Sequence, residues 1–94
     1  MTPEGKVKAQ VKDFLKARGA YFFMPVQTGY GATSLDFLGC YNGRFFAIET
    51  KAPGGKPTAR QRFTMEQMTA AGGRCIWIWD IAQLHYWWKQ FETL

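Results

Sequence analysis

Asn42-Gly43 constrains this chain more than any other pair of residues, because Asn-Gly between two β-prone runs is the strongest short-range signal for a tight hairpin. The runs are residues 35–41 and 44–51. With Asn42 and Gly43 as the turn, Tyr41 faces Arg44, Leu38 faces Ala47 and Asp36 faces Glu49. Facing side chains have Cβ atoms about 4.5–5.5 Å apart on one face of the sheet. Two carboxylates held that close repel, and on so apolar a strand they are also partly desolvated. A hairpin that keeps them needs something to neutralise them. Period-two alternation puts Lys51 on the same face, opposite Ser34 and diagonal to Asp36. Asp36, Glu49 and Lys51 thus converge at one end of the hairpin, beside a loop over 27–34 that carries Gly29, Gly31 and Tyr30.

That convergence suits a hard divalent cation, Mg²⁺ or Mn²⁺. Such ions take oxygen ligands, commonly one or two carboxylates, with water and substrate phosphate completing the shell. Asp36 and Glu49 are the expected ligands, the backbone carbonyl of Thr50 a third, and Lys51 the group that orients the attacking water or holds its deprotonated form. A bland reading stands beside this one. Glu-x-Lys occurs on many solvated strands, Asp36 can cap a turn, and a longer turn would shift the register and separate the pair.

Around the hairpin the element order reads αβββαβα. Thr2 caps a first helix with Pro3 at its first position, Glu4 in its first turn and Val7, Val11, Phe14 and Leu15 on one stripe. Gly19 closes it, and Tyr21 to Met24 form a short strand stopped by Pro25. A Gly/Pro linker over 52–57 leads to a second helix over 58–71, with Thr58 and Gln61 spaced as a capping box. Residues 74–79 are apolar on both faces beyond Arg74, which predicts a central, covered strand parallel to the second arm of the hairpin. Asp80 caps a last helix with Ile81, Leu84, Trp88 and Phe91 on one side. Ninety-four residues make one domain, 1–94, of α/β class with a mixed sheet flanked by helices.

These residues resemble the PD-(D/E)XK nuclease superfamily, and more narrowly a small stand-alone VRR-NUC domain of the phage and bacterial type. The stretch that carries the resemblance runs Ile48-Glu49-Thr50-Lys51-Ala52-Pro53-Gly54-Gly55, then Thr58-Ala59-Arg60-Gln61, then Ala70-Ala71-Gly72. The family often has Pro before its Asp, where this chain has Leu35. The resemblance implies a restriction-endonuclease-like core and metal-dependent hydrolysis of DNA phosphodiesters, usually leaving a 5′-phosphate. It implies that Asp36, Glu49 and Thr50 hold the metal, that Lys51 is the catalytic lysine and that Gln61 supports the site. It implies further that Glu4 reaches the metal directly or by way of a water. Stand-alone members resemble homodimers selective for branched, Holliday-junction-like DNA.

Charge and composition agree with a polyanionic partner and exclude several classes. Twelve Lys+Arg against seven Asp+Glu give a net charge of +5. Lys8, Lys12, Tyr30, Lys56, Arg60 and Arg62 are candidate DNA contacts, although Lys8, Lys12 and Lys16 read equally as a solvated helix face. No apolar run reaches the ~18 residues of a membrane span, and two cysteines build no disulfide framework, so a reducing cytoplasm is the expected compartment. Cys40, Trp77 and Trp79 read as packed residues, and the single His85 lies away from the carboxylates. Trp87 and Trp88 are adjacent, so one helix cannot bury both, and surplus aromatics of this kind favour dimerisation. The competing functions are a non-catalytic basic nucleic-acid-binding module and a nuclease acting on RNA or on DNA ends.

Overall fold

The computed structural model describes residues 1–26 and 34–94. The loop with Tyr30 lies outside them, apart from Ser34. The described residues form α1 (Pro3–Ala17), β1 (Tyr21–Phe23), β2 (Phe37–Tyr41), β3 (Arg44–Thr50), α2 (Ala59–Ala70), β4 (Arg74–Ile78) and α3 (Ile81–Phe91). The αβββαβα order is the one the sequence predicts.

The hairpin turn has the geometry its residues demand. Asn42 and Gly43 have φ of 52° and 76°, the paired positive values of a type I′ turn. The register therefore runs Tyr41↔Arg44 to Phe37↔Ile48, with Leu38 opposite Ala47. β3 pairs with β4 in parallel, and the sheet order is β1-β2-β3-β4.

This order corrects the expectation for β4. It is an edge strand, and β3 is the covered one, buried from Phe46 to Thr50. β4 looked central because both its faces are apolar. One face joins the core through Ile76 and Ile78, while the other carries Cys75, Trp77 and then Trp79, which α2 covers only in part. Trp79 is 42% exposed and Trp77 partly so, which corrects their reading as core residues.

The core lies on the α1/α3 face of the sheet. Val7, Val11, Phe14 and Leu15 from α1 meet Leu84, Trp88 and Phe91 from α3 over Phe37, Phe46, Ile48 and Ile78. The adjacent tryptophans divide as helix geometry requires. Trp88 enters the core, and Trp87 lies flat on Phe91, centroids 4.9 Å apart at 10°. Cys40 is exposed on the opposite face and is not the packed residue the sequence suggested.

Gly39 is the strand residue that no side chain can replace. A Cβ there would meet the carbonyl oxygen of Tyr21 and would sit 2.6 Å from Phe46 Cζ. Gly39→Ala should therefore push β1 off the sheet, with a loss of about 2–4 kcal/mol by the overpacking and strain mechanisms. Urea titration followed by circular dichroism measures it; a loss under 0.5 kcal/mol would show that β1 shifts freely.

Candidate active site

The ladder between β2 and β3 stops at Phe37↔Ile48, and one rung further on side chains replace it. Asp36 N–H donates to Glu49 Oε1 at 3.1 Å, and Thr50 N–H donates to Asp36 Oδ2 at 3.0 Å. The Thr50 hydroxyl donates to the same Oδ2 at 2.7 Å. Each carboxylate thus accepts from the backbone of the opposite strand, which is how the hairpin tolerates the pair.

The remaining acceptor sites collect cations and an amide. Lys51 Nζ lies 3.3 Å from Glu49 Oε2, with both side chains largely buried. Gln61 Nε2 donates to that oxygen at 2.9 Å. At its other end the Gln61 amide accepts from Thr58 N–H at 2.9 Å, and Thr58 Oγ1 in turn accepts from Gln61 N–H. Capping and site support are therefore one arrangement: the amide oxygen serves the helix and the amide nitrogen serves Glu49.

Lys8 Nζ reaches Asp36 Oδ1 at 3.6 Å from α1. Sequence reasoning put Lys8 among solvated or DNA-facing lysines. The usable signal was its spacing from Glu4, one helical turn away, since a helix that aims Glu4 at the site aims Lys8 there too. Glu4 is partly buried, and no three His, Cys, Asp or Glu among the described residues gather to hold an ion. The structure therefore brings Asp36, Glu49, Thr50, Lys51, Gln61 and Lys8 together without a third carboxylate. Lys12, Lys56, Arg60 and Arg62 are exposed; Tyr30 lies outside the described residues. His85 is also exposed, edge-on to Phe14 at 4.8 Å.

The donor set fits a hard divalent cation. Among the described residues Asp36 Oδ1 is approached by Lys8 at 3.6 Å, longer than a hydrogen bond, which leaves this oxygen able to accept a cation. Both carboxylates are oxygen donors on a rigid hairpin end, the chemistry such ions select.

Burial, and secondarily the charge of Asp36, pushes the Glu49 carboxyl above its ordinary 4.5, with Lys51 partly offsetting the rise. The folded chain then holds the Glu49 proton more tightly than the unfolded chain does. In metal-free protein the stability from this group is fully present below about pH 4.5 and is lost as pH rises through the raised folded value. Urea midpoints measured from pH 4 to 8 should carry this slope, at most about 1.4 kcal/mol per pH unit. Glu49→Gln should remove it; an unchanged slope would sink the assignment.

The same architecture occurs in a solved structure described as a VRR_NUC domain, with a TM-score of 0.78 over 92% of this chain and 94% of that one, at 22% identity. The chain therefore has the fold that the motif resemblance implies. No family model and no curated protein matches the sequence.

Proposed function

We propose that this protein is a metal-dependent nuclease that hydrolyses DNA phosphodiester bonds. The observation that carries the reading is the carboxylate pair at the open end of β2 and β3, with Lys51 3.3 Å from Glu49. Each carboxylate braces the opposite strand, and two carboxylates beside a lysine at the end of a hairpin are also the donor set that metal-assisted hydrolysis uses. The shared fold and the net charge of +5 support the same reading.

Asp36, Glu49 and the Thr50 carbonyl would hold Mg²⁺ or Mn²⁺, with Glu4 contributing by way of water. When bound, the ion supplies Lewis-acid neutralisation of the phosphate and makes water a stronger acid. The chain's own residues do the rest. Thr50 holds Asp36 in place through two donors, and Gln61 holds Glu49. Lys51, cationic beside Glu49, would orient the attacking water, which adds to phosphorus as the P–O3′ bond breaks; the water's proton passes to solvent and the leaving 3′-oxygen takes one from solvent, giving a 5′-phosphate and a 3′-hydroxyl. Lys8, 3.6 Å from Asp36 Oδ1, would pair with the substrate phosphate where a cation takes over Asp36.

The substrate we infer is branched or junction-like DNA, and the active form a homodimer. Tyr21, Phe23 and Phe45 are 67%, 50% and 40% exposed on the sheet face that α2 covers only in part, an apolar surface of the kind two copies bury together. A monomer in sedimentation at micromolar concentration would overturn the dimer without touching the nuclease reading.

The deciding experiment is cleavage of supercoiled plasmid and a synthetic four-way junction with Mg²⁺, Mn²⁺ or EDTA, beside Lys51→Ala. Cleavage should need the metal and fall about 10²–10⁴-fold in the variant. One observation favours a second reading, a non-catalytic binding module: both carboxylates already accept from backbone donors. Binding that improves when Asp36 becomes Asn, with no cleavage under any condition, would select it.

A further inference from the structure

We propose that the groove beside Lys51, walled by Trp77 and Trp79, receives one unpaired nucleobase of the strand being cut. The inference rests on the nuclease reading for the identity of the polymer. Trp77 is paired in register with Glu49, and Trp79 lies just past the Thr50↔Ile78 rung, so both stand on the strand beside the carboxylate and the lysine. Their ring centroids are 5.6 Å apart at 44°. Together with Gly54, Gly55 and Lys56 they line an open groove of about 220 Å³, room for one planar heteroaromatic group.

Three features make this a stacking site rather than a leftover apolar patch. Trp79 is held in place, because its backbone N–H donates to Gln83 Oε1 at 2.8 Å at the start of α3. The wall facing the rings includes two glycines, and Gly54 at φ +85° disfavours a side chain that would fill the gap. The exposed Lys56, part of the groove's lining, is placed for a phosphate that flanks a bound nucleotide. Every nucleobase has a π face, so a tryptophan platform accepts any base, but only one displaced from its stack. The groove therefore selects substrates with an unpaired nucleotide next to the scissile phosphate, which a continuous duplex lacks.

The test reads binding, not cleavage. Intact protein in EDTA is titrated into fluorescein-labelled oligo(dT)₁₂, into the same oligomer carrying abasic positions, and into a twelve-base-pair duplex. Wild type should bind oligo(dT)₁₂ with quenching of tryptophan emission and should bind the abasic oligomer about tenfold more weakly. Trp79→Ala should lose about tenfold on oligo(dT)₁₂ and nothing on the duplex, while Trp79→Phe keeps most of the affinity. The Phe variant also covers a failure of the Ala variant to fold. Equal affinity of wild type for the intact and abasic oligomers would overturn the proposal. So would a Trp79→Ala protein whose self-association changes in sedimentation while its oligonucleotide binding does not, since the groove would then belong to a protein contact. If the binding pattern holds but no nucleic acid is cleaved, the groove stands and the nuclease reading fails.

Discussion

Asp36→Asn should abolish the proposed metal-dependent cleavage and leave the protein folded, whereas Asp36→Ala should lose both activity and stability. The difference follows from what Oδ2 does. Thr50 is fully buried, and its N–H and hydroxyl both donate to that oxygen. Asparagine keeps a carbonyl oxygen there, so both donors stay satisfied. Alanine strands two buried donors at about 1–3 kcal/mol each, a large part of the stability of a domain this size. The catalytic loss is common to both, because a neutral amide is a poor ligand for a hard cation. Metal assistance is worth several kcal/mol, and about 4 kcal/mol is roughly a 10³-fold fall in rate. Urea denaturation and junction cleavage, measured side by side, check the pair. Cleavage by Asp36→Asn within tenfold of wild type would remove Asp36 from the chemistry.

Trp88→Ala should cost about 3–5 kcal/mol and leave much of the chain unfolded at 37 °C. Trp88 is 2% exposed and sits between the helices and the sheet, its ring 5.5 Å from Phe14, 5.1 Å from Tyr41, 5.5 Å from Phe46 and 5.1 Å from Phe91. One truncation therefore empties the meeting point of α1, β2, β3 and α3. Trp88→Phe should be far milder, at about 0–2 kcal/mol. The indole N–H has no hydrogen-bond partner among the described residues, so the smaller ring loses volume but also removes a buried orphan donor. Chemical denaturation separates the two; a Phe variant as damaged as the Ala variant would mean that the N–H has a partner after all.

What could be read from the residues was whatever local chemistry decides. Asn42-Gly43 set the turn, the turn set the register, and the register brought Asp36 to Glu49. Thr2, Thr58 and Asp80 each cap the helix they precede, as their side chains require. What could not be read depends on distant partners. β4 has the composition of a central strand, and only the sheet order reveals it as an edge. That order also exposes Trp79 and sets Trp77 beside Glu49. Lys8 was hidden for a related reason, since a lysine every four residues says nothing about which one a neighbouring strand will meet. Gln61 was legible twice over, as a cap and as a site residue, but only coordinates show that one amide does both.

The exchange of hydrogen bonds across the hairpin end has a consequence for the chain while it is being made. A slip of one residue sends Asp36 and Glu49 to opposite faces and leaves Thr50 with nothing to bind. Lys51 is fixed by a further bond, its N–H donating to the Ile78 carbonyl at 2.8 Å, so its place exists only after the chain through Ile78 has emerged and β4 has docked. A nascent or misfolded copy thus lacks the assembled carboxylate–lysine cluster. Competence for the proposed chemistry arrives together with the native state.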